Sequence, residues 1–261
     1  MNTVKDPKKK QELLSRVNAP AYKSRISRLE AMKENIIIEA EKLKITELDL
    51  HKTTYIEGIK EGYYRSIYSI QNNTGIGFNF NKLTDKDIQS ILDIGNWKGN
   101  LYYELVENHH ENFINKCISE LQTGLLAGES VNLIAKRLSE QGEHKYKSCE
   151  RLMRTEVTHY FNRAELKSYK ECGLDKYVFL ATLDNRTSEL CQGLDHKVFN
   201  VEDAEEGVNL PPMHPYCRST THAYFGKDSL KNMQRRARDK EGNSIIVKNI
   251  TYKEWYENYI K

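Results

Sequence analysis

The sequence is poor in proline, in cysteine and in long apolar runs. No apolar stretch approaches the length of a membrane span, and the opening MNTVKDPKKKQ lacks the apolar core of a signal peptide. The chain therefore reads as a soluble protein made in the cytosol, with no membrane partner. Its five cysteines are odd in number and widely scattered, which argues against a disulfide framework. Cys117, Cys149 and Cys172 fall in helical patterns and read as buried thiols. Only Cys191 and Cys217 occupy polar, loop-like contexts. Of the five prolines, three crowd into NLPPMHPYCRSTT, Asn209 to Thr221. Apolar residues make up 38% of the 261 positions and charged residues 30%, which is low for a compact enzyme and ordinary for long, solvated helices. A net charge of +3 permits nucleic acid contact without demanding it. There is no internal repeat and no low-complexity segment.

What is present is mostly helical. Leu29, Met32, Ile36, Ala40 and Leu43 recur at spacings of three and four, and Ile56, Ile59, Tyr63, Ile67 and Ile70 repeat the pattern. Pro20 marks the expected start of the first helix. NNTGIGFNFNKLT breaks the pattern, and Thr84 with Asp87 three residues on predicts an N-cap with a capping box. A longer helix follows Gly99 and stops at LLAGES. A short one carries Val131 to Leu138, EQGEHK predicts another break, and the next helix runs from about Lys147 to Cys172 with Gly173 as its C′ residue. KYVFLATLD, β-branched and aromatic, predicts a strand. Turn-rich segments, a basic QRRARDKEGN, a strand SIIVKNI and a terminal helix complete the chain. The expected architecture is mostly α with a small α+β C-terminal unit. An elongated helical region, residues 1–143, precedes residues 144–261, in which a long helix packs on short strands and loops.

The helix CERLMRTEVTHYFNRAELKSY has two faces. Met153, Val157, Tyr160, Phe161 and Ala164 face a core; Arg154, Thr155, Thr158, His159 and Asn162 form a polar stripe, with Glu156 at its edge near Arg163. A solvated face is one reading. The other is a stripe that underlies the loops and hydrogen-bonds to them. Asp184 and Asn185 are turn formers after the strand, and Asp184 reads as an Asx-turn or, alternatively, a general base or metal ligand. Arg186 can pair with a carboxylate. Cys191, His196, His214 and Cys217 offer the N/S donors of a structural zinc clasp, although the spacing matches no standard finger; two neighbouring thiols without metal are the other reading. A nucleophilic Cys217 with His214 as its base would need a geometry that adjacency in sequence does not supply. Arg235, Arg236 and Arg238, with Lys8, Lys9 and Lys10 at the other end of the chain, are the candidates for contacting phosphate, or else a solvated turn.

The order LMRTEVTHYFNRAELKSY, then ATLDNRTSELCQGLDHKVF, then NLPPMHPYCRSTT resembles the Mu-F-type phage minor head proteins, also called phage head morphogenesis proteins. The likeness covers roughly residues 147–261 with specific motifs; the earlier helices match in general character. It implies a protein of the phage head interior, made in the host cytoplasm, that associates with the portal during assembly, contacts packaged double-stranded DNA and acts in genome delivery. Scaffold or major capsid protein are further partners it suggests, and it implies no catalytic activity. The family's arginine-threonine-glutamate run falls on Arg154, Thr155 and Glu156. Its aspartate-arginine turn falls on Asp184, Arg186 and Thr187, its first cysteine on Cys191, and its histidine-proline-cysteine-arginine element on His214, Pro215, Cys217 and Arg218. Where the family commonly has leucine-aspartate-glycine this chain has Leu194, Asp195 and His196, which weakens His196 as a fourth zinc ligand. The resulting expectation is a structural clasp: Pro211, Pro212 and Pro215 stiffen the loop, Cys217 meets Cys191, and Arg218 pairs with Glu156 or Asp184 over the polar stripe. The competing expectation, from another class, is a metal-dependent nuclease or hydrolase using Asp184, His214 and Cys217, with Glu156 as a further carboxylate.

Overall fold

A computed structural model describes residues 7–77, 80–231 and 233–261, with the side chains of 7, 9–22, 24, 25, 227 and 228 outside that description. Lys9 and Lys10, two of the residues expected to contact phosphate, thus lie outside the described side chains. Helix α1 spans Pro7–Thr74, α2 Asp85–Leu92, α3 Tyr102–Leu126 and α4 Val131–Glu171. Strand β1 (Lys176–Leu180), helix α5 (Glu189–Leu194), β2 (Val198–Asn200), β3 (Thr220–Ala223), β4 (Gln234–Arg238), β5 (Ser244–Lys248) and helix α6 (Tyr252–Tyr259) follow. The chain is mostly α with a small α+β portion, and among the described residues no helix is long and apolar enough to cross a membrane.

Two expected breaks are absent. The apolar patterns at 29–43 and 56–70 lie on one helix, since no glycine or proline separates them, and Pro20 falls inside α1. EQGEHK is likewise helical: its single glycine costs about 1 kcal/mol, which a 41-residue helix absorbs. The break at 75–84 is real, and Thr84 caps α2 reciprocally with Asp87.

Two compact units result, Met1–Glu47 with Glu107–Tyr146 and Leu48–Val106 with Lys147–Lys261. This corrects the expected division at residues 143 and 144. Residues 48–106 join the C-terminal unit because Tyr55, Ile59, Tyr63, Ile67 and Ile70 of α1 and Ile88, Ile91 and Leu92 of α2 share one core with Tyr160, Ala164, Tyr169 and Tyr177. In the first unit Ala40, Cys117, Leu121 and Ile134 are buried. The carboxylate of Glu47 accepts from His110 Nε2 at 2.7 Å and Lys145 Nζ at 2.5 Å. Burial pushes the His110 imidazole down, with Glu47 opposing.

In the second unit β1 is the centre of a three-stranded antiparallel sheet, order β2-β1-β3, with Val178 opposite His222 and Leu180 opposite Thr220. Its inner face packs on α4. Strands β4 and β5 form a separate antiparallel hairpin in which Arg236 faces Ile246. Leu183, Ala237, Val247, Tyr252 and Trp255 form a small core joining the hairpin to α6. The Trp255 indole donates to the Arg238 carbonyl at 2.9 Å, satisfying the one polar atom of a fully buried ring. The basic QRRAR stretch, expected as a turn, is β4 itself, with alternating burial.

Candidate functional site

Helix α4 carries polar residues at 155, 158, 162, 165 and 169, which is one helical face. Thr155, Asn162, Glu165 and Tyr169 are buried there. The chain from Tyr216 to Thr221 runs alongside this face and bonds to it step by step. The Tyr216 N–H donates to Thr155 Oγ1 at 3.0 Å, and Thr158 Oγ1 donates to the Cys217 carbonyl at 2.9 Å. Thr220 Oγ1 reaches Asn162 Oδ1 at 3.4 Å and Glu165 Oε2 at 3.0 Å. Thr221 Oγ1 donates to Glu165 Oε2 at 3.1 Å and lies 3.0 Å from the Tyr169 hydroxyl. Thr, Asn and Glu therefore replace the Lys and Glu of a solvated face because their polar atoms bond to a neighbouring chain. Burial pushes the Glu165 carboxyl up to about 8, against the pull of the two threonine hydroxyls.

The aspartate turn closes the same loop from the other side. Asp184 Oδ1 accepts the Arg186 N–H at 2.9 Å, the expected Asx geometry. Both its oxygens bond the Arg218 guanidinium, with Nη2 to Oδ1 at 2.8 Å, and Thr187 Oγ1 lies 3.2 Å from Oδ1. Burial alone would raise this carboxyl; Arg218, with the Arg186 amide and Thr187, outweighs it and holds the group below its ordinary value. Arg218 thus pairs with Asp184 and not with Glu156. Thr182 Oγ1 donates to the Arg218 carbonyl at 2.8 Å, pinning the backbone as well.

Between the two ladders the thiols meet. Ser188 caps α5 and accepts the Cys191 N–H, which orients Cys191 inward. Cys191 Sγ stands 3.9 Å from Cys217 Sγ and 3.4 Å from His214 Nε2, and both cysteines are buried with Phe179, Ala181 and Met213. Nδ1 of His214 lies 2.8 Å from the Pro215 carbonyl, an acceptor only, so Nδ1 carries the proton. Nε2 then offers its lone pair to Ser188 Oγ at 2.8 Å, with Cys191 Sγ 3.4 Å away. Of the two thiols Cys217 is the more acidic. Cys191 donates to it, and backbone groups of Met213 and Ser219 add to that pull against burial; Cys191, which gives the hydrogen bond, is pushed up. These three residues are the ones that could hold a metal here.

Other expected site residues lie elsewhere. His196 adopts φ 64°, a left-handed conformation that favours glycine, and its ring meets Asn249 Oδ1 at 3.0 Å; it is no member of the thiol cluster. Arg154 is exposed and pairs with Glu150 one turn earlier at 3.0 Å, outside the clasp. Glu156 is buried on another side of α4, where Asn96 Nδ2 donates to it at 3.1 Å and burial raises its carboxyl. The Arg186 side chain is exposed, 3.8 Å from Asp184.

Arg235 corrects the phosphate-contact expectation. It is buried, donates to Asp195 Oδ1 at 2.9 Å and Oδ2 at 3.1 Å, and also bonds the Ile250 and Ala181 carbonyls. Asp195 in turn accepts the Ala181 and Tyr252 N–H groups at 2.8 and 2.7 Å. Alternation along β4 turns Arg235 inward and leaves Arg236 and Arg238 exposed. Sequence reasoning missed this node, for which strand alternation at 234–238 was the available signal. It also missed Glu206, a buried carboxylate 2.8 Å from His159 Nδ1 and 2.5 Å from Arg163 Nε, because no local pattern links residues 43 to 47 positions apart.

Residues 115–222 match the family described as Phage Mu protein F like protein. The chain is 26% identical over 226 residues to NAD(+)--arginine ADP-ribosyltransferase EFV of Enterococcus faecalis (strain ATCC 700802 / V583), covering 77% of this chain and 43% of that protein. It thus spans less than half the length of this relative. It is 24% identical over 241 residues to Minor head protein GP7 of Bacillus phage SPP1, covering 87% of this chain and 76% of that one. No solved structure matches the chain. The clasp residues lie inside the matched segment, so the likeness to the phage head morphogenesis family is carried by residues 115–222.

Proposed function

We propose that this protein is a minor component of a phage head, residing in the virion interior after assembly in the host cytoplasm. In this reading it associates with the portal, and with scaffold or major capsid protein, contacts the packaged double-stranded DNA and takes part in genome delivery. The observation that carries the reading is the likeness to Minor head protein GP7 over 87% of the chain, joined to the family match.

The chemistry of the clasp supports a structural role. Asp184 has its oxygens taken by Arg218, the Arg186 amide and Thr187. It is therefore engaged in holding the loop, which supports the structural reading over the competing hydrolase through Asp184, His214 and Cys217. Glu156, the further carboxylate of that reading, faces Asn96. The transferase activity in the name of the Enterococcus relative is not carried over, since this chain spans 43% of that protein. For DNA the candidate surface is the outer face of the β4–β5 hairpin, where Arg236, Arg238 and Lys248 are exposed. Such a face binds phosphate without sequence preference.

The test is the composition of purified heads. An antibody against this chain should detect it in DNA-filled particles and in procapsids, protected from added protease until the head is opened. Its absence from both particles would contradict the reading.

A further inference from the structure

The geometry points to a zinc-binding site formed by Cys191 Sγ, His214 Nε2 and Cys217 Sγ, which would lock the Asn209–Thr221 loop onto α5. The donor set is two thiols and one imidazole, the soft and borderline ligands that zinc prefers. All three donor atoms lie within 4.8 Å of one another.

The distances discriminate. In a tetrahedral site with Zn–S of about 2.3 Å and Zn–N of about 2.0–2.1 Å, neighbouring sulfurs stand about 3.8 Å apart and sulfur and nitrogen about 3.6 Å apart. The observed separations are 3.9 Å between the sulfurs and 3.4 Å from Cys191 Sγ to His214 Nε2. A disulfide would need the sulfurs at about 2.05 Å.

The histidine is prepared for the role. Its Nδ1–H is committed to the Pro215 carbonyl at 2.8 Å, the outer hydrogen bond that fixes a ligating imidazole and aims Nε2 at the metal. Ser188 Oγ, 2.8 Å from that Nε2, is the group a bound ion would displace from the lone pair. The site also stands where cohesion is otherwise scarce. Among the described residues, the core around the thiols has Phe179, Ala181 and Met213 as its other buried members, and the ligands join segments 23 to 26 residues apart. Metal binding supplies stability where an apolar core is small.

The test uses the full-length chain, expressed with added Zn²⁺ and purified under reducing conditions. Elemental analysis should find about one zinc per chain. Replacement by Co²⁺ should give thiolate-to-cobalt charge-transfer and tetrahedral ligand-field bands. Cys217→Ser and Cys191→Ser should each abolish those bands, His214→Ala should weaken zinc binding at least tenfold, and Cys149→Ser should leave both unchanged. If a clasp variant does not fold, the wild-type readings still decide. Zinc below about a tenth of an equivalent together with no cobalt bands would overturn the proposal. So would a Cys191–Cys217 disulfide in protein kept reduced, or bands that survive loss of either cysteine.

Discussion

Asp184 and Arg218 show what a single buried pair does in this unit. Asp184 is almost wholly buried while about a third of the Arg218 side chain is exposed. Arg218→Ala would leave the carboxylate without its partner. We expect a loss on the order of 2–3 kcal/mol, below the about 3–5 kcal/mol of a fully buried pair, read from urea denaturation. Asp184→Asn with Arg218→Ala together should cost less than the sum of the two single changes. Glu165 gives a pH signature of opposite sign to the usual carboxylate. Its proton is held in the folded chain up to about pH 8 and released from the unfolded chain near its ordinary value of 4.5. Between those limits the unfolded chain binds fewer protons, so stability falls as pH rises and levels off above them. Glu165→Gln keeps an acceptor for Thr220 and Thr221 and removes that dependence. Urea midpoints of the variant should gain on the wild type from pH 5 to 8.5; parallel curves would contradict the assignment. The Asx role of Asp184 was legible in the sequence because the turn is local. The choice between Asp184 and Glu156 as partner of Arg218 was not, since it depends on which side of α4 the loop crosses.

At the scale of elements, α1 and α4 approach closely at one glycine. A Cβ on Gly62 would fall 2.6 Å from the Phe161 carbonyl oxygen, a backbone atom that does not swing aside. Gly62→Ala should lose about 1–3 kcal/mol to overpacking despite its better helix propensity, whereas Gly142→Ala, with open space around it, should gain up to about 1 kcal/mol. Thermal melts of the two variants compare them directly. On the β4–β5 hairpin the buried Arg235 and the exposed Arg236 and Arg238, the proposed DNA contacts, are separable by mutation. Arg236→Ala with Arg238→Ala should weaken duplex DNA binding and flatten its salt dependence by about one unit of slope for each phosphate no longer neutralised, with the fold intact. Arg235→Ala should unfold the unit more readily by about 3–5 kcal/mol, because it strands the buried Asp195. Fluorescence anisotropy across a salt series and urea denaturation distinguish the two. Helix periods, the Thr84 capping box and strands β1 and β5 were legible from local pattern. The continuity of α1 and α4 was not, because an isolated breaker such as Gly142 costs less than a long helix recovers.

For the molecule as a whole, the motifs were legible in order and spacing; Thr155, Asp184, Cys191, His214, Cys217 and Arg218 meet around one loop, while Arg154 and Glu156 lie outside it. The unit boundary was not legible, because Tyr55, Ile59 and Tyr63 look like any amphipathic stripe until their partners on α4 are known. Association with the portal is the step on which the proposed assembly role in the phage head rests. Co-expression with the cognate portal protein, affinity purification through a tag on the portal and size-exclusion chromatography test it most directly. Under the proposed function this chain co-elutes with the portal oligomer in a fixed ratio that persists through nuclease treatment. Elution of the two proteins apart, at concentrations where both are folded, would contradict it.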